Sequence, residues 1–415
     1  MKIIISYCLF FTALFTPSYA DDSNKPTKPS DIPVEAFARL NDGGQMEMSP
    51  DAASIAYIVS HKGRKHILVQ KLDGTKRVLL PPIKEADIKW FTWKGNDLLL
   101  ISYRFTVNDM GRTYASTRLV TYNLESNKMD ILIKPKRSGM YSRERIGNIG
   151  DSIIDLLPQD PDHILLELDD DYDGDTSIFK VNIRTRGRSE YFSSKFGVTN
   201  WSVDEQKNVR WGTGYHLNER RVMYLNPVTD KWEQVQDKDW YKKDSIAPVR
   251  FFDDPRFAYV YSPNEKGING LAKFDMVEGK IVEEIFSHDK VDISGLVTSP
   301  ETGKIIGVSY TEHSPNIHFL NKGFEHLYDR INGAIGSGWN HIVSMNIERK
   351  SFLILHMNYN APAEYHYLNG KTGVIEFILS ANSSLPQNLM AEVQPIKYQA
   401  RDGLTIHGYL TLPKG

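Results

Sequence analysis

Acidic side chains at residues 169–174, DDDYDG, form the sharpest chemical motif of this sequence. Asp169, Asp171 and Asp173 occupy alternate positions before a glycine, which is the spacing that opens a calcium-binding loop. However, the twelfth position is Lys180, where an EF-hand needs a bidentate glutamate. We therefore favour an acidic turn between two strands and leave calcium binding open.

Residue types for nucleophilic catalysis are present, but not in a catalytic pattern. An α/β-hydrolase nucleophile needs G-x-S-x-G on a strand-to-helix turn. The nearest match surrounds Ser309, in GVSYT, which lacks the second glycine. The twelve histidines form no HExxH pair, and His407 falls on the polar face of an alternating segment. Within this chain we predict no catalytic, cofactor-binding or metal-binding residue.

Large aromatic residues cluster in KWFTW, which contains Trp90, Phe91 and Trp93. Such a cluster can stack on a ligand, but large aromatic side chains more often fill the core between repeated units. We therefore predict core packing for all three.

Composition places the chain among ordinary globular proteins and excludes some partners. The 415 residues carry a formal charge of −2, with 40% hydrophobic and 25% charged residues. A charge so close to zero does not favour nucleic acid or an anionic membrane as a partner.

The first twenty residues have the pattern of a cleavable secretory signal peptide. Lys2 precedes an apolar run over residues 3–15, and small residues before Ala20 predict cleavage after that residue. The run is shorter than the ~20 residues of a membrane-spanning helix. The only cysteine, Cys8, would leave with the signal, so we expect a mature protein without disulfides in the periplasm or the medium.

Two polar regions interrupt the pattern of short apolar runs: one directly follows the signal peptide, and the other lies within the folded part of the chain. Residues 21–31, DDSNKPTKPSD, predict a flexible leader. Between residues 98 and 164 we expect an insertion, composed of a long loop over Arg104 to Thr117 and a basic segment from Lys134.

One short apolar run recurs seven times along the chain. Its successive copies are separated by 43, 66, 45, 48, 48 and 47 residues, and their second positions are Ile55, Leu98, Ile164, Val209, Phe257, Ile305 and Phe352. A period near 45, built from short strands and turns, is typical of a β-propeller. We therefore predict an all-β fold with a seven-bladed β-propeller over residues 32–392.

A separate hairpin is predicted over residues 393–415. In IKYQARDGLTIHGYLTLPKG, alternating residues surround the dipeptide Asp402-Gly403, a strong hairpin signal. Leu404, Ile406 and two further leucines share one face. Burying four such side chains stabilises a fold by about 6–12 kcal/mol, so this face predicts a covering layer.

This hairpin resembles the start of the catalytic domain in serine peptidases of the prolyl oligopeptidase family. The branch that it resembles most contains bacterial dipeptidyl-aminopeptidases and acylaminoacyl-peptidases. MSPDAASIAYIVS, from Met48, is also similar to the first-blade signature of the family, although Ala52 replaces its usual glycine. In that family a seven-bladed propeller precedes an α/β-hydrolase domain, so the resemblance implies that residues 393–415 open a hydrolase domain missing from a truncated chain.

The resemblance implies the propeller portion of an exported peptidase that hydrolyses short peptides, with the propeller limiting substrate size. The catalytic serine, aspartate and histidine would lie in the missing domain, so we expect this chain to be inactive alone. Glu283-Glu284 is the nearest match to the glutamate pair that holds substrate amino termini in the dipeptidyl-peptidase branch, but it lies within a strand pattern. We do not assign it that role.

Two other functions remain open. The chain is also compatible with a stand-alone periplasmic propeller that serves as a binding or scaffold module. A propeller enzyme with a metal ion in its central channel, such as a lactonase, would require carboxylates or histidines from several blades. The sequence leaves the oligomeric state undetermined.

Overall fold

Seven β-sheets, each containing three or four consecutive strands, form the framework of the protein, as described by a computed structural model. The structure describes residues 4–5, 26–109, 111–134, 136–138, 143–145, 149–170, 174–194, 197–236, 238–244, 246–336 and 338–414. The sheets are the blades of a seven-bladed β-propeller, so the predicted fold class is confirmed. Two compact units comprise these blades: Met1–Pro82 with Gly295–Gly415, and Ile83–Ser294.

The repeated apolar run is the second strand of every blade, and in blades 2, 3 and 7 residues on both faces of this strand are buried. Leu99, Leu100 and Ile101 illustrate this position, since none of the three is exposed to solvent. A strand buried on both faces needs a continuous apolar run rather than strict alternation. This requirement explains why the runs of these three blades stand out in the sequence.

The first unit contains blades 1 and 7 and most of blade 6. The strands of these three blades are β2 (Gly43–Met48), β3 (Ser54–His61), β4 (Arg64–Lys71) and β5 (Arg77–Leu79); β24 (Ile293–Thr298), β25 (Ile305–Thr311) and β26 (Pro315–Phe319); and β27 (Trp339–Asn346), β28 (Ser351–Asn358), β29 (Ala361–Leu368) and β30 (Val374–Ser380). A two-residue strand, β1 (Ile4–Ile5), pairs in parallel with β30.

The second unit contains blades 2 to 5. Their strands are β6 (Ala86–Trp93), β7 (Leu98–Asp109), β8 (Arg112–Asn123) and β9 (Lys128–Ile131); β12 (Ser152–Asp155), β13 (His163–Leu168), β14 (Ser177–Asn182) and β15 (Arg188–Phe192); β16 (Asn200–Val203), β17 (Val209–His216), β18 (Glu219–Asn226) and β19 (Lys231–Gln234); and β20 (Pro248–Phe251), β21 (Phe257–Pro263), β22 (Asn269–Asp275) and β23 (Lys280–Phe286).

Short elements lie outside the blades, before blade 1, between consecutive blades or after blade 7. They are the 3₁₀ helices Pro29–Asp31 and Gln387–Leu389, the helices α1 (Glu35–Ala38) and α2 (Asp239–Asp244), and the strands β10 (Lys136–Ser138) and β11 (Arg143–Arg145). The first 3₁₀ helix, Pro29–Asp31, lies at the end of the predicted leader. The strands β10 and β11 pair with each other inside the predicted basic segment.

Blade 1 packs against blade 7 through side chains. Met46, Ile55 and Tyr57 of blade 1 form one buried cluster with Leu353 and other residues of blade 7. Polar contacts accompany it: the Met48 amide donates to the Ser344 hydroxyl at 3.1 Å. Since each of the two sheets is built from its own consecutive strands, this contact depends on burial of apolar side chains.

The segments beside these two blades are also tied together. The Ser383 amide and hydroxyl donate to the Asp42 carboxylate at 2.8 and 2.6 Å. The Asn382 side chain donates to the Ala36 carbonyl at 2.9 Å. Residues before blade 1 are therefore fastened to residues after blade 7.

Blade 6 departs from the four-stranded pattern, because a helix follows its third strand. Helix α3 spans Lys322–Ile335 and begins at Asn321, whose side chain accepts from two amides of the first turn. Its buried residues Tyr328 and Ile331 join the core of blade 7. The Tyr328 hydroxyl accepts from the Ile342 amide at 3.1 Å. The sequence analysis did not predict this helix.

The prediction of a long loop over Arg104 to Thr117 is wrong. These residues extend β7 and β8 into a hairpin of two twelve-residue strands with continuous pairing from Leu98–Asn123 to Asp109–Arg112. Gly111, at φ +76°, supplies the backbone conformation of the turn. Most of the polar residues face solvent on a strand, which a composition-based interpretation mistakes for a loop.

Truncating one residue of the cluster between blades 1 and 7 tests its importance. We expect Leu353→Ala to lower the free energy of unfolding by about 2–5 kcal/mol, because Leu353 is fully buried and the change leaves a cavity. Leu217→Ala is the matched control, since Leu217 is 85% exposed. Equal urea midpoints for the two variants would contradict the assigned packing.

Candidate functional site

A polar cleft lies among the first strands of blades 3, 4 and 5. It has a volume of about 440 Å³ and is lined by β12, β16 and β20, with additional residues from the turn after β16. Three successive blades therefore contribute their innermost strands to one cavity wall within the second unit.

The turn after β16 is held by a buried carboxylate. Asp204 is 3% exposed and accepts from the Asn208 amide at 2.8 Å and from Arg210 Nε at 2.7 Å. Lys207, within the turn, adopts φ +69°. A satisfied buried aspartate thus fixes the position of the charged residues between 204 and 208.

Two ion pairs connect this turn to the neighbouring blades. Lys207 pairs with Asp155 of β12 at 2.8 Å, and Glu205 pairs with Arg250 of β20 at 2.8 Å. All four residues line the cleft. The wall therefore carries negative and positive charges in alternation across three blades. This arrangement can hold a polar ligand with charges of both signs.

A buried carboxyl group, Glu167, lies at the same cleft. It is 5% exposed and accepts from Ser152 Oγ at 2.9 Å and from Thr176 Oγ1 at 2.7 Å. Burial raises the pKa of Glu167 above its ordinary value, although these hydroxyls and the Trp201 amide oppose the shift.

The predicted hairpin is present as a two-stranded sheet of its own. Strands β31 (Val393–Gln399) and β32 (Thr405–Thr411) pair in continuous register around the expected turn, where Gly403 adopts φ +84°. Leu404 and Leu412 remain 62% and 61% exposed. The apolar face therefore lacks a covering layer in the described part of the chain.

One end of the hairpin contacts blades 6 and 7. The Tyr409 hydroxyl donates to the His313 carbonyl at 2.8 Å, and the Tyr359 hydroxyl donates to the same carbonyl. The centroids of the His407 and His313 rings are 5.8 Å apart, at an interplanar angle of 25°. His407 is itself exposed and shares the polar face of the hairpin with Tyr409, as its alternation predicted.

The structure places most of the other sequence candidates in the framework. Phe91 and Trp93 are buried, and Trp90 packs against the core of blades 2 and 3, which confirms the predicted aromatic packing. Ser309 lies inside β25 and donates to the Gly295 carbonyl at 3.3 Å. Its surroundings are those of a blade strand rather than a nucleophile turn.

Glu283 and Glu284 lie on β23, the outermost strand of blade 5, and are exposed. The predicted strand is therefore confirmed. The Ser287 hydroxyl donates to Glu284 at 2.8 Å.

The acidic motif is only partly described. Asp171 and Asp173 lie outside the described residues, whereas Asp170 pairs with Arg188 at 2.5 Å and Lys180 pairs with Asp160 at 2.8 Å. Within the described ranges, no group of three or more His, Asp or Glu residues is arranged to hold a metal ion. No described helix is both long and apolar enough to cross a membrane.

Sequence reasoning missed the charged cleft entirely. Asp155, Glu205 and Arg250 are about one repeat apart in the sequence and meet only when successive blades stack. The sequence gives one local indication of these residues, which is that each lies close to the first strand of a blade, just before the repeated run.

The fold defines the class of this protein as a seven-bladed β-propeller of the type found in prolyl oligopeptidases. No family model matches the chain. Among curated proteins, it is 19% identical over 259 residues to dipeptidyl aminopeptidase BIII of Pseudoxanthomonas mexicana, covering 62% of this chain and 37% of that protein. It is 21% identical over 166 residues to dipeptidyl peptidase family member 6 of Caenorhabditis elegans, covering 40% of this chain and 22% of that protein.

Solved structures support the same class. Prolyl oligopeptidase B from Galerina marginata matches with a TM-score of 0.55 and 10% identity, covering 94% of this chain and 58% of that chain. The chain therefore spans 37% and 22% of the length of the two curated relatives and 58% of the length of this structure. The match is to their propeller portion, so the predicted resemblance to prolyl oligopeptidase-type peptidases is confirmed for that portion.

The buried carboxyl group of the cleft gives a pH-dependent prediction. Because the folded-state pKa of Glu167 lies above its unfolded value, ionisation costs stability, and this cost develops as pH rises from about 4.5 through the folded pKa. We expect the stability of wild type relative to Glu167→Gln to fall between about pH 4 and about pH 7. Urea unfolding at both pH values measures it.

A control separates this effect from general charge effects. Glu190→Gln removes an exposed carboxylate on β15 and is the matched control for the loss of one negative charge. A wild-type advantage over Glu167→Gln that grows with pH would contradict the assignment.

Proposed function

We propose that this chain is the propeller portion of an exported serine peptidase of the prolyl oligopeptidase type, which hydrolyses short peptides. In this proposal residues 32–392 form the propeller and residues 393–415 open an α/β-hydrolase domain. The propeller restricts access of large substrates to the hydrolase domain, and the nucleophile, acid and histidine belong to that domain. The observation that carries the proposal is the terminal hairpin.

The hairpin supports the proposal because it is folded but uncovered. It forms a sheet separate from the seven blades, and its leucine face is exposed. Val34 and Phe37, around α1 of the same unit, are also exposed, at 75% and 59%. Apolar surface of this kind marks a site of contact with another protein part. The longer relatives, which extend well beyond the matched region, support a domain as that part.

The proposal includes export. The pattern of residues 1–20, with cleavage after Ala20, supports a signal peptide and a location in the periplasm or the medium. Residues 6–25 lie outside the described part of the chain, so this component rests on the sequence alone.

Peptidase assays test the assignment of chemistry to a separate domain. Purified residues 21–415 should release no nitroaniline from short peptide-nitroanilides above a blank, because the chain has no nucleophile elbow. A longer protein that joins this propeller to a downstream hydrolase domain should cleave those substrates and spare folded proteins. Release by residues 21–415, if retained through repurification, would contradict the proposal.

Removing the hairpin tests its independence from the propeller. We expect deletion of residues 393–415 to leave the melting temperature almost unchanged and to reduce self-association, because the hairpin exposes leucines and unpaired strand edges. Replacing Leu404 and Leu412 by serine should reduce association similarly without removing the hairpin. A large fall in melting temperature after deletion would show that the hairpin belongs to the propeller core.

A further inference from the structure

A lysine side chain is buried at the contact between blades 2 and 3. Lys94 directly follows β6 and is 4% exposed, and its amide donates to the Leu98 carbonyl at 2.9 Å, which fixes the turn between β6 and β7. A charged amine so far from solvent is costly unless its protons all have acceptors. The residues around this ammonium group must therefore supply them.

Main-chain carbonyls of one short loop provide these acceptors. They belong to Leu156, Leu157 and Asp160, which follow β12 in blade 3. The Lys94 Nζ donates to their carbonyl oxygens at 2.5, 2.9 and 2.6 Å, respectively. An ammonium group has three protons, so three carbonyls satisfy it completely. The loop thus surrounds a cation with oxygen atoms, as carbonyl groups do where they replace the hydration shell of a potassium ion.

The backbone of this loop is shaped to point its carbonyls at one place. Leu157 adopts φ +47°, a left-handed conformation that few residues other than glycine take. The Asp160 amide closes a turn on the Leu157 carbonyl at 2.9 Å. The Asp160 side chain is itself held by Lys180 at 2.8 Å and by His163 at 2.9 Å. An unfavourable backbone conformation persists where surrounding contacts fix it, and the ammonium group is one of these contacts.

The charges around the loop also favour a cation. Burial lowers the pKa of Lys94. The carboxylates of Asp160, Asp155 and Asp162 oppose this shift. They therefore compensate part of the cost of burying a positive charge.

The same loop fixes one side of the polar cleft. The Leu157 amide donates to Asp155 Oδ1 at 2.6 Å, while Asp155 Oδ2 pairs with Lys207 at 2.8 Å. Asp155 lines the cleft, whereas Lys94 does not. The buried ammonium group is thus connected to a carboxylate of the cleft through a single residue, Leu157.

We propose that the loop over residues 156–160 is a binding site for a primary ammonium group, that Lys94 of the neighbouring blade occupies it, and that this occupation positions Asp155 at the cleft. Lys94 then acts as an internal ligand, and a free alkylammonium ion can take its place when the side chain is removed. This site takes part in no hydrolytic step and goes beyond the proposed function.

Chemical rescue of Lys94→Ala tests this site. The substitution removes three carbons and the ammonium group, which n-propylammonium replaces. We expect Lys94→Ala to lower the urea midpoint and to speed hydrogen exchange of the Leu157 amide by about tenfold or more, because hydrogen bonds to a charged group are lost. Propylammonium at about 100 mM should reverse most of both changes, since it binds the folded state. Tetramethylammonium, which carries the charge but no N–H donor, should reverse neither.

Lys266→Ala is the matched control, because Lys266 forms an exposed ion pair with Asp289. Its urea midpoint should respond to propylammonium as that of wild type does. Equal effects of propylammonium and tetramethylammonium on Lys94→Ala, or no effect of either, would overturn the proposal.

A second measurement uses wild type and does not depend on folding of the variant. Acetic anhydride modifies accessible amines, and mass spectrometry should find Lys94 acetylated at least about tenfold more slowly than the exposed Lys266 in the native protein. Equal rates at the two lysines would contradict enclosure of Lys94 by carbonyls. Neither experiment measures turnover, so failure here leaves the proposed peptidase function untouched.

Discussion

Burial of apolar side chains between neighbouring sheets is the interaction on which this structure depends. Each blade contains three or four consecutive strands, with β1 added at the edge of blade 7, so main-chain hydrogen bonds act mainly within blades. Side chains must therefore hold one blade to the next. The cluster of Met46, Ile55 and Leu353 does this between blades 1 and 7. A single sheet could not bury both of its faces alone, which makes each blade dependent on its neighbours.

The first strands of blades 3, 4 and 5 are less enclosed than the second strands of the blades. Second strands such as β7 and β13 are covered on both faces, whereas β12, β16 and β20 keep one open edge in the described structure. A buried carboxylate, Asp204, lies in the turn after β16. Asp204 fixes the turn that carries Glu205 and Lys207, and that turn connects three blades through two ion pairs. Rigid support from the core thus positions groups that individually contribute little to stability.

The terminal hairpin, in contrast to the blades, is folded without burial of its apolar face. Its strand pairing is continuous and its turn is well defined, yet its leucine face is exposed. Local turn chemistry and alternation are enough to specify the pairing, but an isolated two-stranded sheet is marginally stable in water. Contacts of Tyr409 and His407 with His313 attach it to the first unit.

The sequence by itself determined the number of blades, the position of each second strand and the hairpin with its Asp402-Gly403 turn. These features have local causes: runs buried on both faces are continuously apolar, and tight turns need residues that tolerate positive φ. Helix α3 had a recoverable signal, because Phe324, Tyr328, Ile331 and Ile335 follow a helical period. Only the tertiary structure decided that residues 104–117 pair as strands, and that Asp155, Glu205 and Arg250 meet at one cleft. Their meeting depends on the stacking of successive blades, a long-range arrangement that no local pattern records.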